Sequence, residues 1–66
     1  MNEADIWRTA NDMTRDYGAE AESCARLRAE KLRDEGIPDG AEEWQRVADA
    51  IAELKRHIPD SDESVN

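Results

Sequence analysis

The chain is predicted to be all-α, a small three-helix bundle with helices at about 3–17, 19–35 and 40–58 and a disordered acidic tail at 59–66. Three observations predict it. Trp44, Val47, Ala48, Ile51, Leu54 and Ile58 recur at three- and four-residue steps, the period that lines one face of a helix. Glycine or proline stands at 18, 36, 38, 40 and 59, at the margins of the periodic stretches. No segment alternates apolar and polar residues with the period of two that a half-buried strand requires.

Asn2 can cap the first helix, and Glu3 and Asp5 place negative charge in its first turn, where the helix dipole favours it. Ile6, Ala10, Met13 and Tyr17 then form a stripe, with Trp7 on its margin, and Gly18 is a stop signal. The second helix carries Ala21, Cys24, Ala25, Arg28, Ala29 and Leu32 on one side. These side chains are small, so a neighbour can approach closely, but they supply little apolar area. Leu27 points away from that face and is either exposed or covered by a second contact.

The connector Gly36-Ile37-Pro38-Asp39-Gly40 ends the second helix, because Pro38 cannot continue it. Asp39 is the expected cap of the third helix, with Glu42 at capping-box spacing, so that helix is expected to begin near Gly40. Pro59 stops it near His57 or Ile58. Helix one offers Ile6, Met13 and Tyr17 to cover the third helix, and residues 1–58 make a single domain.

Sixty-six residues permit one domain, and one of this size buries only about 60% of its unfolded surface. Of 25 hydrophobic residues ten are alanine, and phenylalanine is absent, so large core side chains are few. Such a core rarely supplies more than about 3–5 kcal/mol, and small scaffolds usually add a staple. Cys24 stands alone, which excludes an internal disulfide, and one cysteine with one distant histidine makes a poor metal site. Oligomerisation is the staple that remains. The net charge of −8 disfavours the phosphate backbone as a partner. No signal peptide and no apolar run of roughly 20 residues is present, so no membrane partner is expected. The unpaired cysteine points to the cytoplasm.

Read together, Ile6-Trp7, Ala10, Tyr17-Gly18, Ala21, Ala25, Arg28-Ala29-Glu30, Leu32, Gly36, Gly40, Trp44, Val47, Ala50-Ile51 and Leu54 resemble a family of very short bacterial proteins seen mainly in alphaproteobacteria. Arg28-Ala-Glu-x-Leu, the two-glycine turn and Trp44 are the most distinctive part, and Ile37-Pro38 occupies a turn where many relatives carry aspartate. The family has no assigned activity. The resemblance implies a helical fold and a bacterial origin.

No catalytic, cofactor or metal site is expected. Cys24 has no histidine placed to activate it, and His57 has no second histidine at helical spacing. Asp60, Asp62 and Glu63 lack the glycine and final glutamate of an ordered calcium loop. A helix-turn-helix role would push Asp39, Glu42 and Glu43 toward DNA, which argues against nucleic-acid reading.

Three residues are candidates for partner binding. Trp7 stands at a stripe margin, where an exposed tryptophan makes a favoured interface anchor. Leu27 lies off the apolar face, and Arg28 projects from the middle of that face. The guanidinium of Arg28 has a structural alternative, with its stem covering alanines. The chain is expected to be a non-enzymatic helical module acting by protein–protein contact, including contact with itself as a homodimer. The alternative is an acidic inhibitor or nucleic-acid mimic that fills a basic groove on a partner, with nine basic residues diluting seventeen acidic ones.

Overall fold

The computed structural model describes residues 2–57. Among them every regular element is helical: α1 (Glu3–Tyr17), a 3-10 turn (Gly18–Glu20), α2 (Ala21–Asp34) and α3 (Pro38–His57). Helical structure therefore falls into two runs, 3–34 and 38–57, the first of them broken internally at Gly18. Three separately terminated helices, as the sequence suggests, are not what forms. Ile58 and the tail at 59–66 lie outside the described residues.

Each boundary has a local cause. The Asn2 side chain accepts the Asp5 N–H at 2.8 Å, satisfying one of the orphan donors at the start of α1. Gly18 takes φ 58° and ψ −126°, a combination only glycine adopts without strain, and its N–H bonds back to the Thr14 carbonyl. The backbone leaves the helical region at that one residue. It tightens into the 3-10 turn, so α2 begins at Ala21, two residues later than the periodicity suggests.

At the other end of α2, Gly36 adopts φ 80°. Its N–H bonds to the Arg33 carbonyl at 3.1 Å, and the Ile37 N–H bonds to the Leu32 carbonyl at 2.9 Å. This pair of bonds is a Schellman closure. The Ala41 N–H reaches the Ile37 carbonyl at 3.0 Å, so α3 starts at Pro38 and Ile37 holds the cap position. Asp39 is thus inside the first turn and is not the cap, and Gly40 is not the first helical residue. Proline fits the opening position because its missing N–H has no intrahelical partner there and its φ is already helical.

Helices α2 and α3 pack antiparallel, as the cross-helix neighbours Arg26–Asp49 and Glu22–Lys55 require. A Cβ added to Gly40 would lie 3.3 Å from both Leu32 Cδ1 and Ile37 Cγ2, so the helices close tightly at the turn. Ala21, Ala25 and Ala29 are fully buried on the α3 side of α2, the expected face. Helix α1 contributes Ile6 and Ala10 to the same core, with Trp7, Met13, Trp44 and Leu54 packed around its edge.

Of the ten buried apolar residues among those described, seven are alanine, which leaves Ile6, Val47 and Ile51 as the large ones. Each such side chain contributes about 1.5–3 kcal/mol on full burial, so the core is sparse. Tyr17 does not cover α3. It is 55% exposed at the last residue of α1.

Candidate interaction surface

Two open grooves among the described residues bear on binding. The larger, about 590 Å³, runs between α1 and α3. Ile6, Trp7 and Ala50 give it an apolar floor, and Glu3, Asp49, Glu53 and Arg46 rim it. The smaller, about 420 Å³, lies on the outer side of α2 between Cys24, Leu27, Arg28, Lys31, Leu32 and Glu35. Both volumes fall in the range of small-molecule sites. Neither has the buried polar groups such a site uses to orient a ligand, since no polar or charged residue is buried among the described residues.

The expected partner-binding residues divide between the two. Leu27 and Arg28 share the α2 groove, and Leu27 is 63% exposed with no second contact covering it. Trp7 is half-buried in the α1–α3 groove. Arg28 leaves the alanine face and is exposed, with its guanidinium carbon 4.9 Å from the centre of the Trp44 ring. That stacking is a cation–π contact, and it shields the edge of a half-buried Trp44 that sequence periodicity assigns to the core.

A charged clip missed by sequence reasoning joins α2 to α3. Arg26 Nη2 donates to Glu22 Oε2 at 2.8 Å and lies 3.5 Å from Asp49 Oδ1, while Lys55 Nζ lies 3.5 Å from Glu22 Oε1. The hydrogen bond from Arg26, helped by the charges of Arg26 and Lys55, holds the Glu22 carboxyl below its ordinary value against the opposing effect of burial. The same bond raises Arg26. The Glu22–Arg26 pair is legible from its spacing of four; Asp49, 23 residues beyond Arg26, and Lys55, 33 residues beyond Glu22, are not.

Ion pairs also spread the charge. Arg8, Arg15, Arg46 and Arg56 each meet a carboxylate on their own helix. Among the described residues no group of three or more His, Cys, Asp or Glu side chains could hold a metal ion. No helix of these residues is long and apolar enough to cross a membrane. Comparison with protein-family models, curated proteins and solved structures gave no match.

Proposed function

We propose that this chain is a cytoplasmic, non-enzymatic contact module of helical segments that associates with itself. The poverty of its core supports this reading. Seven alanines and three branched aliphatics fill the interior, while Trp7, Leu27 and Leu32 border open grooves. A chain this small gains from covering such surfaces with a second copy. Resemblance to the short alphaproteobacterial proteins is compatible with this proposal and adds no activity to it.

An acidic inhibitor or nucleic-acid mimic needs a continuous ridge of carboxylates. The ion pairs of Arg8, Arg15, Arg26, Arg46, Lys55 and Arg56 interrupt any such ridge, so self-contact is preferred.

Thermal unfolding followed by circular dichroism tests the proposal. If association stabilises the fold, raising the chain from about 5 to about 500 µM raises its melting temperature by mass action. A melting temperature that is the same at both concentrations would count against it.

A further inference from the structure

Resting on that self-association reading, we propose that the outer face of α2 in one copy lies antiparallel along the α1–α3 groove of a second copy, placing Leu27 on Trp7 and Lys31 on Glu3. Leu27 is the most exposed large apolar side chain among the described residues. Lys31 follows it by four residues and so shares its face. In the groove Glu3 precedes Trp7 by the same four residues, on α1. Each surface thus pairs one apolar group with one charge at one helical turn, and the charges have opposite sign.

Neither Glu3 nor Lys31 has an ion-pair partner among the described residues. Arg28 is already stacked on Trp44, which leaves Lys31 to supply the cation of this face. On the groove rim Asp49 and Glu53 already meet Arg26 and Arg56, so Glu3 is the carboxylate that faces an incoming cation, and on the α2 groove Lys31 is that cation. That local complementarity selects a second copy despite the net charge of −8 on each chain, because a screening length of about 8 Å at physiological salt suppresses the longer-range repulsion.

The equal spacing also fixes direction. Laid antiparallel, Leu27 meets Trp7 as Lys31 meets Glu3. Laid parallel with Leu27 on Trp7, Lys31 would face Asn11 and Glu3 would face Ser23, and the charge pair would be lost. The antiparallel register also sets Ser23 opposite Asn11 and Glu30 opposite Ala4, so no like charges meet at these positions, which share the faces of Leu27 and Trp7.

Sedimentation velocity on the full chain tests the pairing with L27D, E3K, K31E and the double swap E3K/K31E. All three positions are exposed, so the fold is retained, and circular dichroism verifies it. Each single reversal weakens self-association by roughly tenfold, about the size expected when an attractive rim pair becomes repulsive. The double swap, which restores opposite charges across the contact, recovers wild-type association, and L27D is monomeric. Association of L27D equal to wild type, or a double swap no better than the single reversals, would overturn this contact while leaving self-association standing. A wild-type chain that stays monomeric at all concentrations would remove the self-association reading itself. A monomeric chain that instead binds an added leucine–lysine amphipathic peptide, with binding lost in E3K, would reassign the groove to another protein and overturn the self-contact.

Discussion

Arg28 separates a structural role from a binding role, and its replacement by methionine measures the difference. Methionine keeps an unbranched stem over the neighbouring alanines and has nearly the helix propensity of arginine. What Arg28→Met removes is the charge 4.9 Å from the Trp44 ring centre. At an exposed site such a contact is worth about 0.5–1 kcal/mol. For a chain of this size, 1 kcal/mol moves the melting temperature by about 4–8 °C, so the variant should melt about 2–8 °C lower. Thermal circular dichroism gives the number, and a double-mutant cycle assigns it. In a Trp44→Leu background the same Arg28→Met change should cost close to nothing, because the ring it acts through is gone. An equal loss in both backgrounds would refute the cation–π account. No loss in either would release Arg28 from a structural role altogether.

Two further outcomes follow from local geometry. Gly36→Ala forces a side chain into φ 80° with nothing within 4 Å of the new Cβ, so the cost is purely conformational, about 1 kcal/mol by urea denaturation. Gly40→Ala is the control: its backbone does not have positive φ, and there the new Cβ meets Leu32 and Ile37 at 3.3 Å. The Glu22 clip predicts a pH dependence of defined sign. Its carboxyl is held below the ordinary value of 4.5 in the folded state. Its contribution is therefore complete above that value and is lost as pH falls through the lower folded one. The stability difference between wild type and Glu22→Gln should shrink on acidification below about pH 4.5. A difference that grows there would contradict the clip.

The parts of the fold legible in the sequence are those set by local chemistry. The α3 stripe, the Asn2 cap and the stop at Gly36 each depend on residues within one or two turns, and each is found where periodicity and turn chemistry put it. Turn chemistry places the start of α3 too late because proline reads first as a helix breaker, whereas Pro38 opens the helix in its first turn, where its missing donor costs nothing. Tyr17 fits the stripe by count, but it is the last residue of α1, beside the turn at Gly18, and it stays exposed. Stripe position alone cannot reveal such a turn. The grooves were the least legible, since Glu3 and Glu53 share a rim although 50 residues separate them in sequence. Leu27 was recognised as lying off the alanine face, yet only the packing of α2 on α3 leaves it open.

The claim that this sparse alanine core is completed by a second copy meets its most direct test in sedimentation equilibrium of the wild-type chain. The account predicts an apparent mass that rises above the 7.5 kDa of one chain as concentration increases through the micromolar range. A cooperatively folded species that remains at the mass of a single chain throughout would contradict it.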